Sequence, residues 1–279
     1  MGYSINADFF TSKLGLDLEC SLDLIKNIGF DGIDYTSSDL RQPECIERAC
    51  LENELIRSKG LYVCQTHAPY NRYNQYGDCF ALALERAYEI TRIFGAKYFV
   101  VHGDEFDFKN DKYSPQKALV YNYEIYAPYV EKAARDGIAV AFETVFQDMS
   151  PEIVRFTSKA EELLALLEKF NSPSAVCCWD TGHAHISFGN EQADKIRLLG
   201  KHIKCTHIHD NRLGQDLHLP LFTGDSDLLA IRRAFADIEY DGIFSLELGG
   251  ATKMNLLPEG VEAFTKYSYE ALKCFDALK

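Results

Sequence analysis

No stretch of this 279-residue chain approaches the roughly 18 consecutive apolar residues of a membrane span, so no transmembrane helix is expected. The opening MGYSINADFF has neither a basic n-region nor an apolar run closed by small residues, which argues against a secretory leader and for the cytoplasm. The nine cysteines form no CxxC pair. They lie in apolar contexts such as LYVCQ and SAVCCWD, which argues against a disulfide framework and a cysteine-zinc site, and most are expected as core thiols. No Lys/Arg-rich run offsets the net charge of −13, and that charge repels phosphate backbones, so nucleic acid is disfavoured as a partner. No GxGxxG follows the first strand candidate, which argues against a nucleotide cofactor and a dinucleotide-binding fold. No linker, repeat or low-complexity stretch divides the chain, so residues 1–279 read as one domain.

What is present is a regular alternation of short β-rich apolar runs with longer amphipathic segments. The strand candidates are Tyr3–Asn6, Gly32–Tyr35, Tyr62–Thr66, Tyr98–His102, Ala139–Glu143, Ala175–Asp180, Ile203–His207 and Ile243–Glu247. Between them SLDLIKNIGF, CFALALERAYEITRIFGA, YEIYAPYVEKAARDG, KAEELLALLEKF and LLAIRRAFADIEYDG carry the clearest helical periodicity. Glycines in FGAKYFVV, RDGIAVAF and YDGIFSLE are expected to end helices just ahead of strands. Eight strands, each followed by a helix, predict a (β/α)8 TIM barrel, with a doubly wound open sheet as the alternative.

Nearly every strand candidate from the third onward ends in a carboxylate or imidazole: CQTHAPYN, YFVVHGDE, AVAFETV, CCWDTGHAH, CTHIHDNR and FSLELGG. In a barrel all these ends open on one face, so residues distant in sequence converge. Period-2 alternation puts Glu143 on a face with Ala139 and Ala141, aims Val140 and Phe142 at the helices, and turns Trp179 outward; Cys205, His207 and His209 share a face. Glu143, Asp180, His207 and Glu247 form a mixed oxygen and nitrogen donor set suited to a divalent ion, and Mn2+, Mg2+, Co2+ and Zn2+ are all compatible with it.

These residues resemble the sugar phosphate isomerase/epimerase superfamily of xylose isomerase-like barrels, which also contains the endonuclease IV type of abasic-site nuclease. The most specific segments are WDTGHAHI, HIHDNRLGQDLHLPLFTGD and LELGG, in family order and spacing. The resemblance implies metal ligands at Glu143, Asp180, His207 and Glu247, and a substrate-binding or second-metal role for His183. It also matches His67 and His102 to positions that hold another metal in the nuclease branch, and Asp216 with His218 to a third. Against the nuclease stand HGD in place of its HPG, ETV in place of its EN, and short, weakly basic loops ADFFTSK and SSDLRQPE.

The chemistry this implies is proton transfer at carbon beside a sugar carbonyl, with Glu143 and Glu247 as catalytic acid and base on a small carbohydrate. Arg212, one position off the arginine of keto-sugar epimerases, is a candidate substrate contact. Met149 stands where those epimerases carry a second substrate-binding glutamate, so a dehydratase acting on an inosose or keto-sugar is the nearest alternative, and endonuclease IV-like hydrolysis the next. The segment GDEFDFKNDKYSP, with Phe106 and Phe108, and the stretch YNRYNQY read either as lids over the site or as solvated loops with anchoring aromatics. A homo-oligomer is compatible with all of this.

Overall fold

A computed structural model describes residues 2–37, 39–69, 79–103, 105–107, 113–147, 153–249 and 258–279. The candidate lid aromatic Phe108, the side chain of Phe106, Met149 and the stretch Tyr70 to Tyr76 lie outside the described residues.

The eight strand candidates all form. They are β1 (Tyr3–Asn6), β2 (Gly32–Thr36), β3 (Tyr62–His67), β4 (Tyr98–Val101), β5 (Ala139–Glu143), β6 (Ala175–Asp180), β7 (Ile203–His207) and β8 (Phe244–Leu246). Each pairs in parallel with its sequence neighbour from β1 to β7, and β8 pairs with β1. The ring closes through Ile208, which bridges Leu246; its amide donates to Ser245 O at 2.7 Å, and Glu247 N donates to Ile208 O at 3.1 Å. Consecutive order and closure identify a (β/α)8 barrel and discard the open doubly wound sheet.

The alternation rule holds. Ala139, Ala141, Val100, Val176, Cys178 and Cys205 form a compact cluster inside the barrel, with Tyr98 packed against it. Val140, Phe142 and Trp179 belong instead to the larger core between strands and helices. Trp179 is fully buried there and donates its indole N–H to Gln192 Oε1 at 3.3 Å, so its one polar atom is satisfied. Each large apolar side chain buried in this layer contributes about 1.5–3 kcal/mol, which is why small residues can be spared for the crowded interior. Cys45, Cys64, Cys177, Cys178 and Cys205 are buried, while Cys20, Cys50, Cys79 and Cys274 are exposed; all nine are free thiols.

The helical segments are α1 (Leu18–Ile28), α2 (Cys45–Ser58), α3 (Phe80–Phe94), α4 (Pro115–Asp136), α5 (Ala160–Phe170), α6 (Thr181–Phe188), α7 (Gln192–Leu199), α8 (Leu228–Asp237) and α9 (Pro258–Asp276). Among them no helix is long and apolar enough to cross a membrane. Gly95 and Gly137 end α3 and α4 in the left-handed conformation expected of helix-terminating glycines. The glycine of YDG does not: α8 stops at Asp237, and Gly242 is required because a Cβ there would stand 2.8 Å from Lys204 O.

Two short antiparallel pairs, 105–107 with 153–155 and 210–212 with 215–219, follow barrel strands directly in the chain. The second carries Asp216 and His218.

Candidate metal centre

The barrel places a ring of ionisable side chains at the C-terminal ends of its strands. His67, Glu143, Asp180 and His207 are the last residues of β3, β5, β6 and β7, while His102 and Glu247 directly follow β4 and β8. Glu143 is the hub. Its Oε2 lies 2.9 Å from His67 Nε2 and 2.8 Å from His102 Nε2, and its Oε1 lies 3.0 Å from His207 Nδ1 and 3.4 Å from His183 Nδ1. His207 Nδ1 is also 3.3 Å from Glu247 Oε2 and 3.9 Å from Asp180 Oδ2.

Asp180 does two things at once. It caps α6, accepting the amide of His183 at 2.7 Å, and this brings the His183 ring to 3.3 Å from its other oxygen. The sequence TGH therefore supplies both the turn into the helix and the second imidazole. His183 Nδ1 lies 3.2 Å from Thr144 O, and its ring packs against Phe146 at 5.3 Å, with the Arg155 guanidinium 4.8 Å from that phenyl centre.

Glu143, Asp180, His207 and Glu247 offer donor atoms within 4.8 Å of one another, as do His67, Glu143 and His207, and as do His183, His209 and His218. Asp216 joins the third group, with Oδ1 3.2 Å from His218 Nε2 and 3.7 Å from His183 Nε2. Of the residues singled out from sequence only Arg212 stays apart: it is exposed on the hairpin, opposite Gln215, and makes no ion pair among the described residues.

A family model described as a xylose isomerase-like TIM barrel matches residues 22–267. The chain belongs to that family. An uncharacterized protein of Methanocaldococcus jannaschii is 26% identical over 193 residues, covering 65% of this chain and 62% of the relative. A probable endonuclease 4 of Mycoplasma mobile is 28% identical over 163 residues, covering 52% of each. The chain thus spans less than two thirds of the length of either curated relative. Among solved structures a D-psicose 3-epimerase, determined in the presence of D-fructose, superposes with a TM-score of 0.79 at 12% identity, covering 99% of both chains.

In this xylose isomerase-like barrel, burial alone would drive every imidazole toward neutrality, and the local charges decide which resist. At His67 burial is outweighed by the hydrogen bond to Glu143 and its charge, lifting the ring to about 9. At His183 it is outweighed by the charge of Asp180 and the hydrogen bond to Glu143, giving about 10, and at His218 by Glu247 and Asp216, giving about 9. His207 is held well above its usual value, against burial, by the charges of Glu247 and Glu143 and by the hydrogen bond to Asp34. Burial wins at His102, which drops to about 4, and at His209. Glu143 and Asp180 resist burial and stay far below the ordinary carboxylate range because imidazoles face them. Glu247 goes the other way, pushed by burial to about 7 despite His207 and His218.

The donor set fits a divalent cation. Carboxylates and imidazoles converge with protons balancing the negative charge, a task a cation performs better, and Glu247 Oε2 is sealed from solvent without a hydrogen bond among the described residues.

Two residues of the site had no assigned role in the sequence reading. Asp34, at the inner face of β2, accepts from His207 Nε2 at 2.8 Å. His209 reaches Asp180 Oδ1 at 2.9 Å and stacks on His218. The signal for Asp34 was alternation: Ile33 and Tyr35 face the outer core, so Asp34 between them points inward.

Proposed function

We propose that this chain is a metal-dependent isomerase or epimerase of a sugar, keto-sugar or sugar phosphate. The observation that carries the reading is the meeting of Glu143 and Glu247, from β5 and β8, in one donor group with Asp180 and His207. Two carboxylates flanking a bound sugar can remove a proton from one face and return it to the other, which is epimerisation, or to the adjacent carbon, which is isomerisation. A divalent ion held by Glu143, Asp180, His207 and Glu247 would supply Lewis-acid polarisation of a carbonyl and a neighbouring hydroxyl. His183, braced on Thr144 O and Phe146, would orient a substrate oxygen, and the Phe146 ring offers a flat apolar wall beside it. The fold shared with keto-sugar epimerases, D-psicose 3-epimerase among them, supports this choice. Mn2+ is the favoured ion, a small carbohydrate the partner, and the cytoplasm the compartment.

A second reading has its own observation. Among the described residues three donor groups, two of them sharing Glu143 and His207, exceed what a single-ion proton transfer requires, and a probable endonuclease 4 is among the relatives, which favours metal-assisted phosphodiester hydrolysis. The net charge of −13 disfavours it.

Incubating the Mn2+-loaded protein in deuterated water with a panel of keto-sugars, their phosphates and inososes tests the proposal. Carbon-bound deuterium in a product of unchanged formula supports it, and a product lighter by one water moves the assignment to the dehydratase. Chelator-sensitive cleavage of an abasic oligonucleotide, with no exchange into any sugar, overturns it in favour of the nuclease.

A further inference from the structure

His207 is held at both ring nitrogens. Its Nδ1 faces Glu143 at 3.0 Å and Glu247 at 3.3 Å, while its Nε2 lies 2.8 Å from Asp34 Oδ2. Asp34 is buried, and the same Oδ2 accepts from Gln65 Nε2 at 2.8 Å; that amide also reaches Thr206 O at 3.3 Å. Asp34 stands opposite Gln65 in the β2–β3 register, so backbone pairing fixes the acceptor beneath the imidazole. Its other oxygen, Oδ1, is sealed from solvent with no hydrogen-bond partner among the described residues. An interior carboxylate with one oxygen unsatisfied is costly, and a neutral amide could brace β2, β3 and β7 through the same two hydrogen bonds.

We infer that Asp34 is a positioning residue of the metal centre: by accepting the Nε2–H of His207 it leaves the ring's lone pair on Nδ1, aimed at the point shared by Glu143, Asp180 and Glu247. Its negative charge, one imidazole away from that point, strengthens donation from Nδ1 to a divalent cation. This rests on the metal-centre reading proposed above. It accounts for the carboxylate where an amide would brace equally well, and for the bare Oδ1.

The test uses the full-length protein, stripped with chelator and titrated with Mn2+ by calorimetry, alongside Asp34→Asn. The substituted amide can keep both hydrogen bonds on its one oxygen, so a pure brace leaves Mn2+ affinity within about twofold of wild type, whereas the positioning role lowers it by about 10- to 100-fold. A second measurement needs no variant. In 15N-histidine-labelled, Zn2+-loaded wild type, long-range 1H–15N spectra are expected to show His207 protonated at Nε2 and not at Nδ1. Unchanged affinity in folded Asp34→Asn overturns the inference, as does a His207 proton on Nδ1; if the variant fails to fold, the tautomer decides. Wild-type protein that takes up no divalent ion overturns the metal-centre reading itself, an outcome distinct from either of these.

Discussion

The ring of His209 lies flat on that of His218, their centroids 4.0 Å apart and their planes 5° from parallel. Because His209 also reaches Asp180 at 2.9 Å, it joins the donor group around Glu143 to the one around His218. The stack is held from beneath by Gly182, where a Cβ would stand 2.0 Å from His209 Cε1. Gly182→Ala must therefore displace a fully buried ring. Overpacking of this kind costs about 1–3 kcal/mol, and the displaced ring takes Asp180 and His218 with it. The expected outcome is a lower thermal midpoint together with less bound metal by elemental analysis; an unaltered metal content would show that His209 does not support the centre.

Glu143 touches His67, His102, His183 and His207, whereas the closest imidazole contact of the Glu247 carboxylate is His207 Nδ1 at 3.3 Å. That asymmetry separates two substitutions with the same chemistry. Glu143→Gln is expected to abolish both exchange and tight metal binding, because it weakens two donor groups at once. Glu247→Gln is expected to retain more metal while losing about 100- to 10,000-fold in turnover, the usual worth of a positioned acid or base. Solvent deuterium incorporation and metal content on the same samples distinguish the two, and equal loss in both assays for both variants would contradict the division of labour.

The protonation pattern sets a pH dependence whose sign is fixed. Without a cation, His67 and His218 are raised to about 9 and His183 to about 10. Each lends stability that is whole below its unfolded value near 6.5 and is lost as pH rises through 9 to 10. Glu247 acts in the same direction earlier, its burial penalty absent below the ordinary glutamate value of 4.5 and complete above about 7. Above about pH 7, where burial has already left His102 and His209 neutral, chelated protein should therefore lose thermal stability as pH rises. Divalent ions compete with these protons, so metal affinity should rise over the same range with release of protons to the buffer. Scanning fluorimetry of chelated protein that shows a midpoint rising from pH 7 to pH 9 would refute the protonation pattern.

Why some of this was legible from sequence and some was not follows from the range of the forces involved. Strand existence rests on local periodicity, and all eight candidates form; the ends differ by a residue at β2, β3, β4 and β8, where pairing across the sheet decides the last hydrogen bond. Convergence of Glu143, Asp180, His207 and Glu247 followed from parallel strands alone. Asp34 escaped because a carboxylate in GIDYT is indistinguishable by type from a strand-edge polar residue until Ile33 and Tyr35 are known to face outward. His209 was placed on the correct face, yet its stacking on His218 depends on the hairpin 210–219, whose register is set by Asn211 accepting the amides of Leu217 and His218. No short-range pattern encodes that pairing. The weakly amphipathic α2, expected only from the strand–helix alternation, is not among the clearest periodic segments for a related reason, since its buried Cys45, Ala49 and Ile56 are few and widely spaced.

The hairpin itself offers the last test. His185, on α6 two residues beyond His183, reaches Asp225 Oδ1 at 2.6 Å, and Asp225 in turn accepts the amide of Leu213 at the hairpin turn at 3.1 Å. This contact tethers the segment bearing Asp216 and His218 to the helix bearing His183, so the third donor group depends on it. Hydrogen bonds to an ionised group contribute about 1.5–3 kcal/mol, enough to shift a local equilibrium by one to two orders of magnitude. Asp225→Ala should therefore weaken the binding of a second ion while leaving the first, at Glu143, Asp180, His207 and Glu247, intact. In a Mn2+ titration followed by electron paramagnetic resonance, the tighter phase is expected to persist and the weaker phase to move to higher concentration. If activity follows the tighter phase alone, the outer group serves substrate binding; if it disappears with the weaker phase, a second ion takes part in the reaction.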